Sequence, residues 1–271
     1  MLGEFLRQCR EERRLNQADL AVAIRGSVSK ISRMERGESP AKPRDVTDLA
    51  GFMRLNAQER QIIEGLLERA QNGAWYQQFS DVTPSYLKRL IALEASADMI
   101  TAYENQVVPG LLQTPEYARS LVETVRQTEG EIARAVDLRI RRQAILEHPT
   151  PRVTAMIDQG VLLRPRGGRE VMRRQLQRLL EASEIEKINV RIVEFGRGAD
   201  VTPPYAITQL KFPTEGPSDL VYVEHVNGAD YITNPAAVDK YRHNLDRLLQ
   251  AAAGRKESRK LISEAIKAYY S

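Results

Sequence analysis

Over the first seventy positions apolar residues recur with a helical period, and the breaks between runs predict five short helices. Leu2, Phe5, Leu6 and Cys9 share one face of a segment over 2–14 whose other face is charged. Asn16 suits the cap of a second helix over 17–24, with Leu20, Ala21 and Ile24 as its inner stripe. Ser27 suits the cap of a third over 28–36, anchored by Val28, Ile31 and Met34 and stopped by Gly37. The prolines and charges of ESPAKPRD mark a loop, and residues 43–52 and 58–70 read as a fourth and fifth helix.

The Asn-Gly break in QNGAWYQQF, residues 71–79, marks a domain boundary. The pattern then stays helical: from residue 83 or 85 to 102, from Pro115 behind a Thr114 cap to about 126, and over 131–147. Beyond Pro151 the period shortens to two. RVTAMID, INVRIVEF, YAITQLKF and LVYVEHV read as strands, with amphipathic helices over 168–183 and 237–253. The expected fold class is α+β: an all-α five-helix domain over 1–72, a helical connecting region over 73–150, and an α/β sensing or interaction domain on a mixed sheet over 151–271. No internal repeat or low-complexity segment stands out.

A chain of 271 residues, 42% hydrophobic and 28% charged, has material for two packed cores. A single cysteine, Cys9, excludes a disulfide framework, and with three scattered histidines it leaves no zinc-ligand spacing, so no metal or cofactor is expected. No apolar run is long enough to span a membrane and Met1 leads into a charged segment, so a cytoplasmic protein without a signal peptide is expected. Residues 1–44 hold ten Lys/Arg against six acids, an excess equal to the net charge of +4 of the whole chain.

That basic segment has the spacing of a helix-turn-helix. Ala21, four residues after Gln17, is small enough for a close helix crossing, RGS supplies a tolerant turn, and Val28 and Ile31 hold the second helix against the first. Ser27, Ser29, Lys30 and Arg33 are then left facing outward. In the major groove of B-DNA such a helix brings short hydroxyls to base edges, and Arg33 is assigned a bidentate guanine contact, which discriminates by about 1–3 kcal/mol. Gln17 is assigned to a backbone phosphate at a helix N-terminus, and Arg13, Arg14, Lys42 and Arg44 to sequence-independent phosphate contacts. The plainer alternative is an ordinary pair of surface helices.

LNQADLAVAI, followed by SVSKISRMERG and a proline-containing loop, resembles the phage-repressor (Xre-like) helix-turn-helix family over about residues 2–70. YENQVVPGLLQTPEYAR, RRQAIL, VYVEHVNG and KYRHNLDRLLQAA resemble the C-terminal domain, of unknown function, of a large group of actinomycete regulators. The resemblance implies a sequence-specific transcriptional regulator of development or secondary metabolism, often encoded beside a small partner protein. The chain departs from the family at Gly26, a turn position usually filled by an apolar residue. One reading helix covers few base pairs, so a homodimer reading an inverted repeat through residues 27–36 is expected on double-stranded DNA. The C-terminal domain would bind a small protein partner or a ligand. The alternative is an antitoxin-like interaction module whose main role is capture of a small protein.

Other candidates are weaker. Val107, Val108, Leu111, Leu112 and Tyr117 either wall a pocket or fill the core, and Trp75 with Tyr76 either anchors a partner or pins domains. The arginines at 164, 166, 169, 173, 174 and 178 form either an anion site at a helix start or a solvated face. His148, His225 and His243 form no local dyad, and Asp158, Glu194 and Glu224 are isolated carboxylates at strand ends, so no enzyme is expected.

Overall fold

In this computed structural model residues 2–39, 41–72, 74–198, 200–213 and 218–270 are described. The architecture is α+β, in two compact units: Met1–Ser96 with Phe212–Ser218, and Ala97–Lys211 with Asp219–Ser271.

Every element of the first unit is helical: α1 (Leu2–Glu12), α2 (Gln17–Ala23), α3 (Val28–Glu35), α4 (Pro43–Phe52), α5 (Ala57–Asn72), a 3-10 turn at Ala74–Phe79 and α6 (Ser85–Glu94). Leu6, Leu20, Ile31, Leu49 and Ile63, each from a different helix, meet in its core. One expected anchor fails: Val28 is 47% exposed, and α3 is held instead by Ile31, Met34 and Glu35. The unit also continues past the boundary expected at 71–79, because Phe79 and Val82 are buried and Arg89 on α6 reaches Glu4 on α1 at 3.4 Å.

Helix ends in this unit follow one rule. After α1, α2, α3 and α4 a residue turns left-handed, and two main-chain N–H groups reach back to the helix's last carbonyls; after α2, for example, Gly26 donates to Ala21 at 2.8 Å and Arg25 to Val22 at 3.1 Å. Glycine favours that conformation, yet only Gly37 is one; the others are Arg14, Arg25 and Arg54, with φ of 54°, 50° and 51°. Within the RGS turn between α2 and α3 it is therefore Arg25 that takes the left-handed conformation, and Gly26 does not. Two of these links also share a sequence, so a short internal repeat does exist. In RLNQAD (14–19) and RLNAQE (54–59) the arginine ends one helix and the leucine packs on the core. The asparagine caps the next helix in a reciprocal bond with the acid, Asp19 or Glu59.

The second unit is built on six strands: β1 (Met99–Glu104), β2 (Arg152–Asp158), β3 (Ile188–Val193), β4 (Ile207–Lys211), β5 (Leu220–His225) and β6 (Gly228–Ile232), in the order β3-β2-β1-β4-β5-β6. The pairs β3·β2 and β2·β1 are parallel and the rest antiparallel, which makes the mixed sheet expected. Its helices are α7 (Pro115–Val122), α8 (Glu129–Arg142), α9 (Gln159–Leu162), α10 (Arg169–Ala182), α11 (Phe195–Gly198), α12 (Pro235–Ala251) and α13 (Arg255–Ala268). Alternate strand residues feed two cores: Ala155, Ile157, Val190 and Ile192 pack with α10 and α13, while Met156 and Val193 pack with α12.

Three elements depart from the expected pattern. The helix expected to run to 102 ends at Glu94, and Met99–Glu104 form β1 in the middle of the sheet, so 73–150 is not an all-helical connector. The residues MITAYE do not alternate strictly between apolar and polar, although their burial in part does, so nothing in the sequence sets the strand apart from the helical pattern before it. β6 completes a hairpin with β5, and α13 lies beyond the last helix that periodicity predicts.

Candidate nucleic-acid interface

The cap of α3 is Ser27, whose Oγ accepts from the Lys30 N–H at 3.2 Å, so the hydroxyl expected to face DNA is engaged in starting the helix. Ile31 and Met34 turn inward, and Ser29 and Arg33, one turn apart, face outward and are exposed. Arg33 forms no side-chain hydrogen bond or ion pair among the described residues. Of the four positions expected to face outward, Ser29 and Arg33 do so with no other engagement among the described residues.

Lys30 differs. Its Nζ lies 2.7 Å from Asp45 Oδ2 near the start of α4, in an ion pair that ties α3 to α4. A cation so paired contributes less to a DNA phosphate. Gln17 is likewise engaged: its amide donates to Glu35 Oε2 at 2.8 Å. Glu35, almost fully buried, also receives two bonds from Arg10, at 2.7 and 3.1 Å, so one carboxylate joins α1, α2 and α3.

Arg13 is a correction. Its guanidinium lies between α1, α4 and α5, bonded to both Glu59 oxygens at 2.8 Å, to the Met53 carbonyl at 2.7 Å and to the Cys9 carbonyl at 3.1 Å. Five donors in a fixed fork suit that task, and the residue is a strut, not a phosphate contact. Arg14, Lys42 and Arg44 are exposed, as that role requires; Arg44 is no closer than 4.0 Å to Asp48. The pattern adds two cations that periodicity missed, Arg25 and Arg54, both exposed in the left-handed conformation described above. A helix stop without glycine is the signal that marks them.

Nearby Cys9 is buried, which pushes its thiol up to about 11, so the chain's single cysteine is chemically quiet. Gly26, the departure in the turn, is exposed; a Cβ there would meet Ile24 Cδ1 at 3.2 Å and Lys30 Cδ at 3.3 Å.

The expected pocket at 107–117 is not one. Val108, Leu112 and Tyr117 are fully buried in the core beside α10, Leu111 is nearly so, and Val107 is half-buried. Side-chain amides hold the loop: Gln113 donates to the Val108 carbonyl at 2.7 Å, Gln175 to Leu112 at 2.8 Å, and Gln143 to Gly110 and Gln113. Trp75 is engaged within its own unit, edge-on to Tyr76 and Phe79 at 6.1 and 6.0 Å. The arginine cluster on α10 is an ion-paired face: Arg173 meets Glu170 at 2.7 Å and stacks on Tyr270, and Arg174 approaches Glu116 at 3.7 Å.

The carboxylates singled out at strand ends have local partners. Asp158 caps α9 through Gly160 at 2.8 Å, Glu194 pairs with Arg197 at 3.2 Å, and Glu224 accepts from Tyr222 at 2.8 Å. Glu104, at the end of β1, was not foreseen: burial and the charge of Glu224 push it up to about 8, against a smaller opposing pull from Arg142. Among the described residues no group of three His, Cys, Asp or Glu is placed to hold a metal, and no helix is long and apolar enough to cross a membrane.

Family models account for most of the chain. The model described as Domain of unknown function (DUF5753) matches residues 87–264, well over half the length. The chain belongs to the DUF5753 family. Its N-terminus matches the model described as Helix-turn-helix domain over residues 1–61, which covers α1 to α4 and the start of α5. No curated protein and no solved structure matches the chain. A helix-turn-helix followed by a DUF5753 domain is thus the organisation, and the first module is the architecture of a DNA-binding regulator.

Proposed function

We propose that this DUF5753 protein is a cytoplasmic, sequence-specific transcriptional regulator of the Xre-like kind, with no catalytic step of its own. It acts as a homodimer and reads an inverted repeat through residues 27–36. The observation that carries this reading is the outward strip of α3: Ser29 and Arg33 stand exposed on a capped helix whose inner face is locked by Ile31, Met34 and Glu35. Such a helix fixes where the Arg33 side chain starts and leaves its guanidinium free to meet a guanine edge. Exposed Arg14, Arg25, Lys42, Arg44 and Arg54 supply the sequence-independent part of the affinity. The DUF5753 domain binds a small protein partner or a ligand, and the resemblance to actinomycete regulators points to control of development or secondary metabolism.

The test is recovery of bound DNA from cells, followed by affinity for the strongest site as a function of salt. A recurring inverted repeat, bound far more tightly than random duplex, is expected. Weak binding with a steep salt slope and no recurring sequence overturns the reading. A small protein that co-purifies through residues 97–271 and survives removal of the helix-turn-helix would favour the antitoxin-like alternative.

A further inference from the structure

A cavity of about 350 Å³ opens where β1, β2 and β3 begin, lined by Met99, Arg152, Val153, Thr154, Glu186, Lys187, Asn189, Arg191 and Arg255. That volume is within the range of small-molecule sites. It lies at the N-terminal ends of parallel strands, opposite to the end where open α/β sheets usually hold ligands, so fold analogy does not suggest it. The side chains do. Four cations face one acid, Glu186, and among the described residues none of the four is ion-paired.

Three of these cations are held by main-chain carbonyls. Arg191 donates to Ala253, to Ala252 at 3.1 Å and to Leu249 at 3.3 Å, which clasps the end of α12. Arg255, the first residue of α13, donates to Ile188, Ser183 and Ile185 at 3.0 to 3.3 Å, and Lys187 donates to His148. Carbonyl dipoles fix a cation in place without cancelling its charge. Burial, and for Arg191 the neighbouring charge of Arg255, holds Arg191 and Lys187 below their ordinary pKa, as expected of cations lacking a counter-charge. Asn189 adds an amide whose Oδ1 is buried without a partner, an acceptor that a hydroxyl of a ligand can satisfy and a phosphoryl oxygen cannot. Met99, which pairs with Arg152 on the neighbouring strand, contributes an apolar patch.

We infer that the cavity binds a small molecule bearing a phosphoryl group. A phosphate monoester carries about −1.5 to −2 charges and three acceptor oxygens, which matches an excess of three cations better than a single carboxylate does, and guanidinium forks suit it. Thr154 and Asn189 add uncharged hydrogen-bonding groups, and Met99 receives the uncharged part of the ligand. Arg191 and Arg255 tie the cavity to the junction of α12 and α13, so occupancy bears on how those helices are held. Binding at this site stands by itself; only its effect on DNA rests on the regulator reading above.

The experiment is calorimetric titration of the full chain with inorganic phosphate and with pyrophosphate, with chloride used to hold ionic strength constant. Saturable binding, tighter for pyrophosphate, is expected. Arg152→Glu, at an exposed side chain with no partner among the described residues, is expected to weaken it at least tenfold, and Lys187→Gln several-fold, with unchanged circular dichroism. No saturable heat, or equal affinity in both variants, overturns the proposal. So does a loss of duplex binding in Arg152→Glu without any anion binding in the wild type, which would make the cavity a DNA-backbone surface. Operator affinity with and without pyrophosphate is measured separately: saturable anion binding that leaves DNA affinity unchanged keeps the site and removes its regulatory role.

Discussion

Both units use cations to hold elements together, and two sets of these cations meet different acceptors. In the helix-turn-helix unit Arg10 meets Glu35, Arg13 meets Glu59 and Lys30 meets Asp45, so each strut cancels its own charge. In the DUF5753 domain Arg191 and Arg255 grip main-chain carbonyls and no carboxylate answers them. The first arrangement is electrostatically closed and leaves only surface residues such as Arg33 to meet a partner. The second fixes geometry while leaving positive charge inside a cavity.

The sharpest way to break this comparison is to open a closed strut. Glu35→Ala leaves Arg10 and Gln17 without their acceptor in a nearly dry site, and it is expected to lower stability by about 3–5 kcal/mol, read from the urea midpoint. A loss well under that would mean that Arg10 is adequately solvated and the strut is not closed. Next, Arg33→Ala is expected to reduce discrimination at one operator base by about 1–3 kcal/mol in competition binding, while stability moves by no more than about 0.5 kcal/mol. A large stability loss would make Arg33 another strut.

Arg25→Gly sharpens the boundary between strut and contact. Removing the side chain relieves a left-handed non-glycine conformation, which costs about 1–2 kcal/mol, so a higher melting temperature is expected. If Arg25 is a phosphate contact, the salt slope of DNA binding falls by about one at the same time. Unchanged DNA binding would remove Arg25 from the interface.

A further effect is one of slope, and it sharpens the electrostatic side of the comparison. The folded-state pKa of Glu104 is raised from 4.5 to about 8, so its protonated form is favoured on folding. The stability associated with this group is full below about pH 4.5 and is lost as pH rises through about 8, beyond which the dependence flattens. Glu104→Gln, which cannot ionise, is expected to remove that part of the pH dependence of the urea midpoint. An unchanged profile would show that Glu104 ionises without penalty.

Much of this was legible along the chain. The five N-terminal helices, their Asn16 and Ser27 caps and the outward place of Ser29 and Arg33 follow from residues within one turn of one another. The RLNQAD and RLNAQE links were equally local, but nothing marks them as a repeat until both arginines are seen at positive φ. Lys30 and Arg13 were misjudged for another reason: their acceptors, Asp45 and Glu59, stand fifteen and forty-six residues away, and no spacing rule connects them.

What the sequence by itself determined, then, is the set of helices with clear caps, the strands with alternation, the helix-turn-helix and the α+β class. Hydrogen bonds and side-chain periodicity act over a few residues, so their record is written locally. Tertiary structure alone decided that 99–104 is a central strand, that the apolar residues at 107–117 fill core, and that a cavity holds four cations. The parallel pairing of Met99 with Arg152 and of Val153 with Ile188 draws residues from 99, 152–154, 186–191 and 255 to one end of the sheet. Charge at a point in space depends on that convergence, and a linear pattern carries no record of it.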